Sequence, residues 1–257
     1  MNSFSRLINL IETLRGKDGC PWDKKQTIDS IKPFVVEECY ELVEAIDEGS
    51  LSGIKEELGD LLFHIFFIAE ITKEIKAFDI NDVVEHITKK MIRRHPHVFG
   101  NKKVKNAKEV ELNWSELKAK EKQNKRSSLM DGLPKSLPAL IRAFRLTERA
   151  SKVGFDWEKA SDIFPKIKEE LSELEEEIKK KKINNVEEEV GDLLFVIANL
   201  ARLLKINPED ALRKSVNKFE KRFRYIEKSL KKEGKSLNDA TLEEMDKLWE
   251  KAKEKEG

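Results

Sequence analysis

The sequence predicts an all-α fold made of two tandem copies of one helical domain. Three observations carry that reading. Gly and Pro are scarce, 11 and 7 in 257 residues. Between these breakers apolar residues recur three and four apart, the period of a helix face, and no stretch alternates convincingly as a half-buried strand does. The chain also repeats itself: Glu37, Glu41, Glu57 and Asp60 meet Glu169, Glu173, Glu189 and Asp192, each 132 positions later.

The elements follow in order. Apolar periodicity predicts helices over residues 2–15, 30–48, 51–74 and 79–94, with Pro33 suited to a first turn. His95-Pro96-His97 reads as a helix-ending turn, having no second His or Cys cluster to make it a metal site. A helix over 107–121 carries Trp114. The stretch from Lys122 to Pro134 has no helical stripe and collects turn residues, the mark of a linker. Helices over 136–152, 158–181, 184–205, 207–232 and 239–254 complete the chain, with Pro208 in another first turn. The organisation is thus a helical domain at 1–121, a linker at 122–135 and a second helical domain at 136–257.

Charge excludes several function classes. The 50 Lys and Arg balance 49 Asp and Glu to a net +1, although 39% of residues are charged against about 25% in average domains. A polybasic nucleic-acid binder needs an excess of cations for phosphate; only the loop Lys102, Lys103, Lys105 and Lys108 hints at one, and a solvated loop is its simpler reading. Leu61 to Ala69, the longest strongly apolar run, falls far short of the ~20 residues that span a bilayer. Cys20 and Cys39 have no redox motif around them and read as ordinary buried thiols of a cytoplasmic protein.

The repeat extends beyond the acids. Trp22 meets Trp157, Trp114 meets Trp249 and Lys118 meets Lys253 at an offset of 135; Lys90 and Arg94 meet Lys218 and Arg222 at 128. At about 100° per residue, Val35, Val36, Cys39, Leu42, Val43 and Ile46 form a continuous apolar arc, with Glu38 at its edge and Glu41 on the rim. On the next helix the direction of Glu57 and Asp60 continues into Phe67, Ile68 and Ile71. In the second copy Leu200 and Leu203 flank the direction of Glu189 and Asp192. A solvated face does not run into Phe and Ile, so these acids are expected to point at least partly inward.

Four carboxylates converging in a partly dry site repel one another and raise each other's pKa. A divalent cation resolves the conflict, and hard oxygens without Cys or several His favour Mg²⁺, or Mn²⁺ in its place, over zinc. A single E-E-x-x-E run is more often a solvated helix face; duplication in fixed register and the inward direction of the second acidic pair reverse that preference. Lys90 with Arg94, and Lys218 with Arg222, lie four apart and can converge on one phosphate, with Arg93 as a further cation. Trp114 and Trp249 either stack on a base or anchor a core.

The ordered set resembles the MazG family of nucleoside triphosphate pyrophosphohydrolases across essentially the whole chain. The match runs through Leu14-Arg15, Gly19-Cys-Pro-Trp-Asp23, both acidic motifs, Arg93-Arg94-His-Pro-His-Val-Phe99, and Leu137-Pro-Ala-Leu140 to Arg149-Ala-Ser-Lys-Val-Gly-Phe-Asp-Trp157. The resemblance implies two MazG-type helical bundle domains, a homodimer, Mg²⁺ dependence and conversion of nucleoside triphosphates to monophosphate plus pyrophosphate. It implies metal ligands at Glu38, Glu41, Glu57 and Asp60, and at Glu170, Glu173, Glu189 and Asp192. Lys90, Arg93, Arg94, Lys218 and Arg222 would hold the triphosphate, with Trp114, Lys118, Trp249 and Lys253 near the nucleotide. Glu37 and Glu169 would orient water or a ligand, and Glu38, Glu41, Glu170 and Glu173 are candidates to accept its proton. His64 becomes Val196 and Phe67 becomes Asn199, so the two pockets are expected to differ in nucleoside preference or activity. Two other readings remain open: a non-catalytic helical interaction protein, and a hydrolase restricted to dUTP or dCTP.

Overall fold

The computed structural model describes residues 3–110, 113, 114, 117 and 128–255, and among them the regular elements are helices, with no strand. The chain divides into two compact units, Met1–Lys122 and Gln123–Gly257. No helix among the described residues is long and apolar enough to cross a membrane.

The first unit contains α1 (Ser3–Arg15), α2 (Pro21–Lys25), α3 (Ile28–Glu48), α4 (Leu51–Glu74), α5 (Ile80–Arg94) and α6 (Pro96–Phe99). α3 starts before the predicted first turn, which leaves Pro33 inside the helix. The reason is a reciprocal cap: Thr27 Oγ1 accepts from the Ser30 N–H while Ser30 Oγ accepts from the Thr27 N–H. Two orphan amides are thus satisfied upstream of the proline. α3 ends at Gly49, which is left-handed at φ 68°, and Ser50 caps α4 by accepting from the Gly53 N–H. This two-residue reversal lays α4 back along α3. α1 and α5 pack on α4, and the core gathers Ile11, Ile31, Phe66, Phe67 and Ile71. The short helices α2 and α6 were not expected from periodicity. Each begins at a proline, which is pre-set for a first turn.

The second unit repeats the plan with α7 (Ala139–Ser151), α8 (Phe164–Lys180), α9 (Ile183–Leu203), α10 (Pro208–Lys232) and α11 (Leu242–Glu254). α8 folds back along α9, α7 packs on α9, and α10 lies against α11. Lys181, 132 residues after Gly49, holds the same left-handed position at φ 56°. α8 begins later than the predicted 158–181 helix. A 3₁₀ turn at Ala160–Ile163 precedes it, and Pro165 sits in its first turn, where its missing N–H costs no bond. Ile226, Leu230 and Leu248 bury the α10–α11 contact.

The apolar arc of α3 is covered only in part. Cys39 is exposed, Val36 is 50% exposed and Ile46 is 56% exposed, which corrects the expectation that Cys39 is a buried thiol; Cys20 is half-buried. Within the unit α4 is the helix that packs along α3, and one neighbour cannot cover the full width of the arc.

Candidate functional site

The two hairpins set the height of every acidic side chain. Glu41 lies eight residues before Gly49 and Glu57 seven after Ser50, so they stand about 12 Å and about 10 Å from the turn at 1.5 Å per residue. Glu173 and Glu189 have the same spacing about Lys181-Lys182. Antiparallel packing therefore brings carboxylates of neighbouring helices to one level. In the first unit Glu38, Glu41 and Glu57 each offer an oxygen within 4.8 Å of the others. Glu170, Glu173 and Glu189 do the same in the second.

Glu57 and Glu189 are half-buried, as the inward direction of their helix face required. Burial raises the Glu57 pKa above the usual carboxylate value, and Glu41, Asp60, Glu38 and Glu56 raise it further. Glu189 is raised in the same way by burial, then by Glu173, Glu170, Asp192 and Glu188. The Oε2 of Glu57 is buried with no hydrogen-bond partner in the protein. Asp60 and Asp192 depart from the expectation. Both stay exposed on the rim, outside the three-oxygen groups but near enough to act on Glu57 and Glu189 through their charge. Two clusters of hard oxygens that crowd negative charge suit a hard divalent cation. Glu37 is exposed, whereas Glu169 pairs with Lys166 at 2.8 Å.

The surroundings of the clusters differ. Glu38 Oε1 lies 3.5 Å from His64 Nε2. The His64 ring stacks on Phe34 at 6.0 Å between centroids, and Trp22 meets Phe34 edge-on at 6.1 Å. In the second unit Lys166 stands at the position of Phe34, and its ammonium lies 2.7 Å from Glu170 Oε1. These ion pairs raise the Lys166 pKa above its ordinary value. Lys166 is absent from the sequence-derived set, although its place four residues before Glu170 and opposite Phe34 in the repeat was legible.

The basic and aromatic candidates meet pairwise. The Arg94 guanidinium lies 5.3 Å over the Trp114 ring, and Arg222 lies 5.4 Å over Trp249. Arg94 is buried, and the edge of His95 also contacts Trp114. Periodicity gave the Arg and the Trp separate roles; the structure joins them in both units. Lys90 is half-buried and lines an apolar groove that includes Phe4, Phe66 and Phe78. Arg93 and Lys218 are exposed, Lys253 pairs with Glu250, and Lys118 lies outside the described residues.

A cavity of about 540 Å³ in the second unit is lined by Leu146, Thr147, Phe155, Trp157, Phe195 and Asn199. It begins one turn along α9 from Asp192. Asn199 is buried and accepts from Arg202 Nε at 2.8 Å, and Arg202 in turn grips Asp156. The matching residue of the first unit, Phe67, is 1% exposed and lies in the core beneath the Arg15 guanidinium.

The MazG nucleotide pyrophosphohydrolase domain matches the chain twice, over residues 26–99 and 158–226. Each match contains one acidic cluster and its Lys/Arg pair. The nucleoside triphosphate pyrophosphohydrolase/pyrophosphatase MazG of Thermotoga maritima is 47% identical over 250 residues, 97% of this chain and 95% of that protein. The nucleoside triphosphate pyrophosphohydrolase of Escherichia coli K12 is 40% identical over 260 residues, covering 100% of this chain and 99% of the relative. A protein of Bacillus subtilis, YabN, is 48% identical over 262 residues, 99% of this chain and 52% of its own length. With two domain matches over more than half of its residues and full-length similarity at these identities, the chain belongs to the MazG nucleotide pyrophosphohydrolase family.

Proposed function

We propose that the protein is a Mg²⁺-dependent nucleoside triphosphate pyrophosphohydrolase of broad specificity, acting in the cytoplasm to clear the nucleotide pool, with Mn²⁺ able to replace Mg²⁺. The observation that carries the reading is the pair of three-oxygen clusters, each centred on a glutamate whose pKa is raised by burial and by its acidic neighbours. The relatives' names and the family support the reaction class.

In this reading Glu38, Glu41, Glu57 and Asp60 would hold the cation in one unit, and Glu170, Glu173, Glu189 and Asp192 would hold it in the other. When bound, the cation would supply positive charge against the phosphates and lower the pKa of water at the site. The chain's own groups do the rest. Glu37 and Glu169 orient the water, and a carboxylate among Glu38, Glu41, Glu170 and Glu173 accepts its proton. Water oxygen bonds to the α-phosphorus while the α–β bridging oxygen leaves with pyrophosphate, so triphosphate plus water gives monophosphate plus pyrophosphate. Lys90, Arg93 and Arg94, and Lys218 with Arg222, stabilise the charge that develops on the leaving group. Trp114 and Trp249, with Lys118 and Lys253, border the nucleotide.

A homodimer is part of the proposal. The same positions are exposed and apolar in both units: Ile46 with Ile178, Leu58 with Val190, and Ile65 with Ile197. Such a repeated uncovered stripe suits burial against a second chain. Sedimentation equilibrium at micromolar concentration tests it, and a monomer there refutes it.

The activity test is a product assay over NTPs and dNTPs with Mg²⁺, using wild type, Glu57→Gln, Glu189→Gln and the double variant. Monophosphate and pyrophosphate in equal amounts are expected, with the double variant inactive. Release of orthophosphate refutes the bond assignment. Turnover of dUTP or dCTP alone replaces broad specificity with the narrow reading, and full activity in the double variant refutes catalysis by these clusters.

A further inference from the structure

The repeat places a charged and an aromatic residue at one equivalent position. Phe34 lies four residues before Glu38, packed between Trp22 and His64. Lys166 lies four residues before Glu170 and bridges Glu169 and Glu170 at 2.8 and 2.7 Å. The exchange is paired with a second one, because Val196 replaces His64 and leaves no imidazole beside Glu170. Glu170 is 5% exposed, the most buried of the six clustered carboxylates. A buried carboxylate without a counter-charge is costly, and Lys166 supplies that charge inside the second unit itself. In the first unit the corresponding side chain is a ring, and Glu57 Oε2 is left buried without a partner.

We propose that Lys166 is a built-in counter-ion of the second acidic cluster, which a divalent cation must displace or share Glu170 with, so that the second unit binds free divalent cations more weakly than the first. The proposal rests on the reading of the clusters as cation sites. One added positive charge about 6 Å from a divalent cation lowers affinity by about tenfold even when screened as in bulk water.

The test is Mn²⁺ titration of the full-length, chelator-stripped protein without nucleotide, followed by electron paramagnetic resonance of free Mn²⁺. Wild type is expected to show two affinity classes about tenfold apart, Glu57→Gln removing the tighter and Glu189→Gln the weaker. Lys166→Met should tighten the weaker class about tenfold, Lys166→Arg should leave it in place, and Phe34→Lys should weaken the tighter class. Phe34→Lys alters a different unit, so it decides the matter even where Lys166→Met fails to fold. Binding that Glu189→Gln abolishes but Lys166→Met leaves unchanged overturns the counter-ion proposal alone. Binding that survives both glutamate variants overturns the cation sites and the proposal together.

Discussion

The hairpin turns offer a quantitative check on how each unit is built. Gly49 and Lys181 occupy the same left-handed cap at φ 68° and 56°, but only one is a glycine. A Cβ added at Gly49 meets nothing within 4 Å, so Gly49→Ala tests backbone conformation without steric interference. The left-handed region costs a residue with a Cβ roughly 1–2 kcal/mol. Glycine's freer unfolded chain takes back about 0.5–1 kcal/mol of that. Gly49→Ala is therefore expected to destabilise the first unit by about 1 kcal/mol, and Lys181→Gly to stabilise the second by a similar amount. With a urea slope of about 2 kcal/mol/M, each midpoint moves by roughly 0.5 M, in opposite directions. Urea unfolding followed by circular dichroism, alongside calorimetry, measures both. A Lys181→Gly midpoint that stays fixed or falls refutes the claim that this residue is strained in the cap of Gly49.

Other predictions follow from the site. Because the pKa of Glu57 and Glu189 is raised, protons compete with a cation there above the usual carboxylate range. Mn²⁺ affinity should fall as pH drops from 7 to 5, and a flat profile in a binding titration refutes the shared-charge picture. The same sign governs metal-free stability: the ionised pair opposes folding at neutral pH and the penalty is relieved as pH falls. Glu57→Gln should therefore raise the metal-free melting temperature at pH 7, with the difference shrinking in acid. The contact of Trp114 with Arg94 and of Trp249 with Arg222 stands to contribute about 0.5–2 kcal/mol in each unit. Trp→Leu at either site should raise KM for a triphosphate several-fold in that unit while Trp→Phe retains most of the affinity; equal kinetics for both variants would contradict a positioning contact. Glu244 is held at about 2 by Lys235 and by the Thr241 N–H. Its stabilisation is present above its ordinary value of 4.5 and lost as pH falls toward 2, so Glu244→Gln and wild type should converge in acid denaturation there.

Helix existence, the repeat and the acidic register were legible in the sequence because each is a local or periodic property. Glu41 and Glu57 fall together for a reason the spacing contains: they stand at nearly equal distances from a two-residue reversal, and Glu38 lies one turn further along the face of Glu41. The arc of α3 was legible as apolar, but not its partial exposure, since a helical wheel gives the direction of Cys39 and Ile46 without saying which helix fills it. Periodicity similarly missed α2 and α6, where short proline-started turns leave no stripe to read.

By itself the sequence determined an all-α chain, its duplication and which acids share a face, because helix period and repeat offset depend only on residue order. Only the tertiary structure decided that Glu57 is half-buried while Asp60 stays on the rim, that Arg94 and Arg222 lie over Trp114 and Trp249, and that Lys166 meets Glu170 where Phe34 meets His64. Those outcomes depend on distances between helices and on how deep each carboxylate sits from water, and both are set by packing across the bundle.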